Sequence, residues 1–451
     1  MEEREEGIEA RALRRVLACL GGELGGGASV APRRGIGLAL RIQTRVGSGA
    51  VHRRGGDELT VVVGDEHRNG CGGVLHDETD EDQRLRMPHA AILTTRRSRC
   101  RRLDFEPMRA IVIEKPNAVA LREVETPTPD TGEVRVRSVR AGVCRTDLDI
   151  VAGTLDPRWV RFPVVPGHEW SGVVDSVGDG VIGLEPGDRV VCEGNIACLR
   201  CARCRAGDTH LCASYDAVGF TRSGGYGEFV VVPARVVHVL PGHVSFDAAV
   251  LVEPGAVVLK ALERARIEPG ETVGVVGVGA LGAIAIRLAR LCSPATIVAY
   301  GLRAEELELA LALGADSVVS VADVDAEVET RKLAGGGLDV VVETAGAVAA
   351  FELSTRLTRE GGRIVALGIA GHGHELTLPS DRIALRDLSV FGSVGYTTAA
   401  WARMVDLLRE RLVDLDPIVT HRFPLERFED AFALMDDRRG VVAKIVLEHA
   451  V

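Results

Sequence analysis

Thr272-Val-Gly-Val-Val-Gly-Val-Gly-Ala-Leu-Gly-Ala-Ile-Ala-Ile-Arg-Leu-Ala-Arg290 is the stretch from which the fold can be read. An apolar strand runs directly into Gly277-Val-Gly-Ala-Leu-Gly282. A helix follows, with Leu281, Ile284, Ala285, Leu288 and Ala289 recurring at the spacing of one buried helical face. The first glycine permits a tight turn, the second lets backbone approach a pyrophosphate, and the third lets helix pack close on strand. Unpaired N–H groups at the helix start favour an anion there. Gly277, Val278, Gly279, Ala280, Leu281 and Gly282 are therefore expected to cradle a dinucleotide. A glycine turn without a ligand is the plainer reading, and the strand–loop–helix setting weighs against it.

Working outward, apolar strands keep alternating with helical segments: Thr296 to Tyr300, Glu305 to Leu313, Leu338 to Glu343, Arg363 to Leu367 and Leu388 to Phe391. That rhythm predicts a doubly wound parallel sheet of about six strands over 256–391. An acid that binds the ribose 2′-hydroxyl of NAD is expected about 20 residues past the glycine loop. The segment Val298-Ala-Tyr-Gly-Leu-Arg303 puts Gly301 in that place and Arg303 just beyond. Absence of a carboxylate removes repulsion from a 2′-phosphate and a guanidinium can pair with one, which favours NADP over NAD. Alternatively, Arg303 is an exposed helix-start arginine neutralised by Glu305 and Glu306.

Upstream of the sheet the character is different. From Met108 the chain reads as short strands, Arg109 to Ile113, Glu133 to Val139 and Ser171 to Val177, separated by turns such as Pro127-Thr-Pro-Asp-Thr-Gly132 and Glu185-Pro-Gly-Asp188. This all-β, barrel-like section covers 108–255. After about Gly392, one amphipathic helix near Ala399 to Leu412 and some strand-like pieces are expected to return to it. Residues 1 to about 107 are rich in Arg and Gly, carry no sustained apolar period, and read as a poorly ordered extension or a mis-assigned translation start. The run Arg96-Arg-Ser-Arg-Cys-Arg-Arg102 reads as a solvated linker more readily than as a contact for an acidic partner.

Composition narrows the function classes. A 451-residue chain with 46% hydrophobic and 26% charged residues suggests two globular domains, and its apolar runs are too short to span a bilayer. A net charge of −10 argues against nucleic acid and anionic lipid as partners. The start Met1-Glu-Glu-Arg-Glu-Glu6 lacks the features of a secretory signal, so the reducing cytoplasm is the expected compartment. There, ten cysteines are ligands or free thiols before they are disulfides.

Four of them, Cys198, Cys201, Cys204 and Cys212, fall within one short polar loop. Four thiolates closing a tetrahedron describe a structural zinc, with an iron–sulfur cluster as the lesser alternative. A second group of ligand types is scattered: Cys144 in Gly142-Val-Cys-Arg-Thr-Asp147, His168 and Glu169 in Pro166-Gly-His-Glu-Trp-Ser-Gly172, and Glu253 before Pro254. Each alone is more simply a core or hydrogen-bonded residue. Together they offer the mixed sulfur, nitrogen and oxygen set that a catalytic zinc uses.

In this order, from Met108 to Val451, the motifs resemble the zinc-containing medium-chain dehydrogenase/reductase family. The resemblance implies a GroES-like β-barrel catalytic domain, a Rossmann domain inserted before the C-terminal return, one catalytic and one structural zinc, an alcohol substrate, and a homodimer or homotetramer. It implies Cys144, His168 and Glu253 as zinc ligands and Glu169 as a neighbour able to approach the metal. Thr146 takes the place of the hydroxyl that touches the substrate, and Asp147 that of the carboxylate orienting the histidine. Where some members carry a histidine at the outer end of a proton relay, this chain has Asp149. Within the family, Phe162 to Gly172 and Gly219-Phe-Thr-Arg-Ser-Gly224 resemble 2-deoxy-scyllo-inosamine dehydrogenases and related polyol enzymes. Two rival readings stand beside this one: a zinc-independent quinone or enoyl reductase of the same superfamily, and a non-catalytic zinc-ribbon binding module, for which the lobe lacks a basic face.

Overall fold

The computed structural model describes residues 107–450, apart from 215, 372, 438 and 439. The N-terminal extension, including its Arg96–Arg102 run, lies outside the described residues but for Pro107. A hairpin opens the described chain, β1 (Pro107–Lys115) with β2 (Ala118–Glu125). Then come β3 (Glu133–Val143), helix α1 (Arg145–Ala152), β4 (Trp170–Val177), β5 (Arg189–Cys192), β6 (Phe229–Pro233) and β7 (Val237–Val239). A 14-residue helix α2 (Val252–Ala265) leads into the alternating section. That section is β8 (Thr272–Val276), α3 (Ala280–Ala289), β9 (Thr296–Gly301), α4 (Ala304–Ala312), β10 (Ser317–Ser320), α5 (Ala326–Ala334), β11 (Leu338–Glu343), α6 (Val348–Leu357), β12 (Thr358–Ala366) and β13 (Ser389–Gly392). The chain finishes with α7 (Thr398–Arg409), β14 (Val419–Pro424), α8 (Phe428–Asp437) and β15 (Lys444–Glu448).

The six strands β8 to β13 form one parallel sheet in the order β10-β9-β8-β11-β12-β13. This is the strand order of a Rossmann fold, with the switch point between β8 and β11. β8 and β11 are apolar and almost wholly buried, as a sheet covered by helices on both faces requires. The other sheet runs β14-β15-β3-β4-β5-β7, with β6 also paired to β3. β3 alternates buried and partly exposed residues over most of its length, since one of its faces is the core. The C-terminal return is realised by β15, which lies antiparallel to β3. No helix among the described residues is long and apolar enough to cross a membrane.

One hydrophobic core joins the two sheets. Val191 and Leu240 from the first, Val273 and Val275 from the parallel sheet, Leu259 of α2, and Trp401 and Val405 of α7 belong to a single buried cluster. A second cluster fills the first sheet, around Val134, Val136, Trp170, Val230 and Phe432. Here α2 and α7 act as the seam.

Candidate active site

The order β15-β3-β4 builds the site before any side chain is considered. Cys144 follows the last residue of β3, His168 and Glu169 immediately precede β4, and Lys444 opens β15. Pairing of Ala141 with Trp170 and of Val143 with Ile445 brings those strand ends level. As a result one ligand atom each from Cys144, His168 and Glu169 lies within 4.8 Å of the other two. Glu253, in the first turn of α2, is not a member of that group. Glu169, read from sequence as the approaching neighbour, is the carboxylate that meets Cys144 and His168 here. Still, Glu253 feels the same charges: burial pushes its carboxyl up to about 7, and His168, Glu169, Lys444 and Asp147 all act on it.

The local fold fixes these groups in place. Cys144 caps α1, and its N–H donates to Asp147 Oδ2 at 2.9 Å. The other oxygen, Oδ1, lies 3.4 Å from His168 Nδ1, and both atoms are buried without another partner among the described residues. Burial opposes a charged imidazole at His168, but Asp147 and Cys144 outweigh it and hold its pKa well above the usual histidine value. The groups that favour a charged imidazole here favour a metal cation for the same electrostatic reason. The donor set, one thiol, one imidazole and one carboxylate with a second carboxylate behind the ring, fits zinc. Thr146 places its hydroxyl 3.6 Å from Cys144 Sγ. Asp149 lies further out, 3.6 Å from Arg145 Nε.

Three residues here escaped the sequence reading. Lys444 is 2% exposed, ion-pairs with the equally buried Glu169, and gives its Nζ to Val143 O at 3.3 Å. Its signal was a lone charge at the head of the apolar run Ile445-Val-Leu447, which burial makes costly unless paired. Phe220 sets its ring 5.0 Å from that of His168, tilted by 46°. Tyr226 is fully buried with its hydroxyl on Asp147.

The four-cysteine lobe also closes. Ligand atoms of Cys198, Cys201, Cys204 and Cys212 all lie within 4.8 Å of one another, and none is in a disulfide. Backbone N–H groups of Arg200 and Cys201 pull the Cys198 thiol down to about 6, and those of Ala213 and Cys204 lower Cys201. Burial pushes Cys204 up to about 12. N–H donors prepared for thiolates suit a soft cation bound by four sulfurs.

At the switch point, Gly277 has φ +95°. A Cβ on it would meet Ala345 at 2.8 Å, and one on Gly282 would sit 1.9 Å from Gly277 O. The first and third glycines thus do what their spacing predicts. Thr344 Oγ1 donates to Gly277 O at 2.8 Å, bracing the turn. Arg303 caps α4 and ion-pairs with Glu306, the alternative reading of that arginine. Gly301, where an acid was looked for, ends β9.

Comparison with known proteins places the chain in a family. Residues 130–242 match the alcohol dehydrogenase GroES-like domain, and residues 280–410 match zinc-binding dehydrogenase. An L-threonine 3-dehydrogenase of Anaeromyxobacter sp. (strain Fw109-5) is 34% identical over 72% of this chain and 94% of its own. An erythritol/L-threitol dehydrogenase of Mycolicibacterium smegmatis is 32% identical over 73% and 94%. Two solved structures share the fold. A protein of Sinorhizobium meliloti 1021 described as a zinc-binding dehydrogenase bound to NADP has TM-score 0.71 at 29% identity, covering 76% of this chain and 99% of that one. One from E. coli CFT073, named a short chain alcohol dehydrogenase and complexed with NADH, has TM-score 0.70 at 27% identity, covering 76% and 99%. Neither a zinc-independent reductase nor a free-standing ribbon module accounts for these matches. The chain belongs to the zinc-containing medium-chain dehydrogenase/reductase family, the alcohol dehydrogenase-like enzymes that exchange a hydride between a secondary alcohol and NAD(P).

Proposed function

We propose that Cys144, His168 and Glu169 hold one catalytic zinc, that the four cysteines hold a second, structural one, and that the substrate is a polyol, sugar or aminocyclitol with NADP as the preferred acceptor. The observation that carries this reading is the meeting of thiol, imidazole and carboxylate within 4.8 Å, with Asp147 behind the imidazole. Bound there, zinc supplies a Lewis acid that lowers the pKa of the alcohol, and the nicotinamide takes the hydride.

The chain's own residues do the rest. Asp147 orients His168, and Lys444 sets where the Glu169 carboxylate points. Glu253 is the reserve carboxylate. Thr146 accepts the alcohol's proton and passes it outward, while Asp149 is engaged by Arg145 on the same helix. Phe220 shields the His168 ring from water on one side. Gly277 to Gly282 hold the pyrophosphate, which positions the nicotinamide. Gly301 and Arg303 favour the 2′-phosphate, provided Arg303 leaves Glu306 for it. Threonine, erythritol and threitol, named for the two relatives, are secondary alcohols with polar neighbours, which supports a substrate of that kind.

The seven free cysteines among the described residues suit a reducing cytoplasm. A homodimer or homotetramer suits β13, the last strand of the parallel sheet, whose Val390 is exposed.

Metal analysis of His168→Ala tests the centre. The wild type is expected to carry two zincs per chain, and the variant one, with kcat reduced to background. A variant that keeps both metals and its turnover overturns the assignment. Parallel analysis of Glu169→Gln and Glu253→Gln identifies the third ligand. A panel of simple alcohols, sugars, inositols and aminocyclitols with NADP tests the substrate class, and preference for unsubstituted alcohols contradicts it.

A further inference from the structure

Tyr226 is one of the largest fully buried side chains in the molecule, and its hydroxyl faces Asp147 Oδ2 at 2.9 Å and Gly142 O at 3.0 Å. Asp147 itself is wholly buried. The hydroxyl has one proton, which goes to the carboxylate as the stronger and nearer acceptor, so Oδ2 takes two donors, the Cys144 N–H and the Tyr226 hydroxyl, while Oδ1 is left for His168 Nδ1. A carboxylate held by a single bond can turn about its Cα–Cβ and Cβ–Cγ bonds. Two donors converging on one oxygen remove that freedom and aim the other oxygen at the imidazole.

The tyrosine is placed as firmly as its target. Gly225 N–H donates to Gly167 O and Tyr226 N–H to Pro166 O, so its backbone is stitched to the two residues before His168. Tyr226 O accepts from Ile111 N–H in β1. Gly225 O is gripped by Ser138 Oγ at 2.9 Å and His449 Nε2 at 2.8 Å. Gly167 has φ +95°, and a Cβ there would strike the Tyr226 ring at 2.5 Å. The segment before the histidine and the tyrosine are therefore packed as one unit, and a shift of either is felt at both Asp147 and His168.

We infer that Tyr226 is a positioning residue for the catalytic centre, its hydroxyl fixing the Asp147 carboxylate that in turn sets the orientation of His168. This rests on the proposed zinc centre at Cys144, His168 and Glu169. The role is separable from packing, because phenylalanine keeps the ring against Gly167 and Phe432 and removes the oxygen alone.

The test uses the full zinc-loaded chain and an excess of a chromophoric chelator. Zinc leaves in two phases, and the catalytic phase is the one that His168→Ala abolishes. Tyr226→Phe is expected to speed that phase about tenfold, the range found for loss of a group behind a metal-bound histidine. The four-cysteine phase stays unchanged. With cobalt in the catalytic site, its visible ligand-field bands shift in Tyr226→Phe. In an Asp147→Asn background the same substitution adds nothing further, as a residue acting only through Asp147 requires. Unchanged catalytic-phase release with superimposable cobalt spectra overturns the inference, and so does equal acceleration of both phases. If His168→Ala removes neither phase, the zinc centre itself fails and the inference falls with it. Two phases with only the Tyr226→Phe effect missing overturn the inference alone.

Discussion

Arg303 shows how far the meaning of a side chain depends on its partner. The guanidinium stands two residues beyond the end of β9, as a 2′-phosphate contact would, yet it is ion-paired with Glu306 and about one third exposed. Its partner Glu306 is largely buried, so a dianionic phosphate has to draw the guanidinium out of this pair in order to bind it. For Arg303→Ala we expect KM for NADP to rise about tenfold while KM for NAD stays within about twofold, the cost of one charge-assisted contact. Steady-state kinetics with both cofactors read this directly, and equal changes in the two constants exclude the contact. Other residues were legible to different degrees. Cys144 and His168 could be singled out because ligand types in a fixed order carry chemistry. Lys444 left only the trace of a lone charge before an apolar run, and Tyr226 none: their partners lie 275 and 79 residues away, and only the pairing of β15 and β4 with β3 and the stitching of 165–167 to 224–226 bring them together. Glu169 and Glu253 were both visible, but their distances from the thiol depend on how β4 and α2 pack, which no local pattern encodes.

The glycine loop is an element in which three similar residues have three different physical duties. Gly279 has φ −81°, a conformation open to any residue, whereas a Cβ on Gly282 would overlap Gly277 O at 1.9 Å. The two substitutions should therefore fail differently. Gly279→Ala is expected to keep the wild-type melting temperature and lose at least about tenfold in cofactor affinity, because the methyl occupies space meant for pyrophosphate. Gly282→Ala is expected to lose both, since α3 can no longer approach β8. Calorimetric melting with titration of reduced cofactor fluorescence separates the cases. A Gly279→Ala protein that melts early, or binds normally, contradicts this division. The alternation that revealed β8, α3, β9, α4 and β11 was strong because each element is long and apolar on the right period. Ser317–Ser320 was not among the named strands, being four residues with a single fully buried position. Helix α2 was hidden by Glu253-Pro-Gly255, which reads as a breaker. In the first helical turn, however, a proline forfeits no hydrogen bond.

At the scale of the molecule, one core running from Val191 through Val275 to Trp401 ties the two sheets together, so local changes at either end register in global stability. The C-terminal return is the last part of this fastening, and just past β15 it carries a histidine that cannot easily ionise. His449 is 4% exposed, with Nε2 against Gly225 O and Nδ1 buried without a partner among the described residues. Burial drives its pKa down from about 6.5 to about 4. In the unfolded chain the same imidazole takes a proton as pH falls through about 6.5, while the folded chain refuses it until about 4. The unfolded state then binds more protons, so stability rises with pH across this window and is lost on acidification. At pH 7 and above both states are neutral and the residue contributes no pH dependence. The full effect, reached near pH 4, is on the order of 3 kcal/mol for a shift of this size. His449→Gln offers an amide donor to Gly225 O and has no proton to gain. Urea unfolding of both proteins at pH 7.5, 6 and 5 should show the wild type losing stability faster than the variant on acidification, with the gap widening toward about 1.4 kcal/mol per pH unit, the slope for one proton. Net charge changes in the same way in both proteins, so general charge repulsion cancels in the difference between them. Parallel stability curves for the two proteins mean that His449 protonates as readily folded as unfolded, which contradicts a pKa depressed by burial.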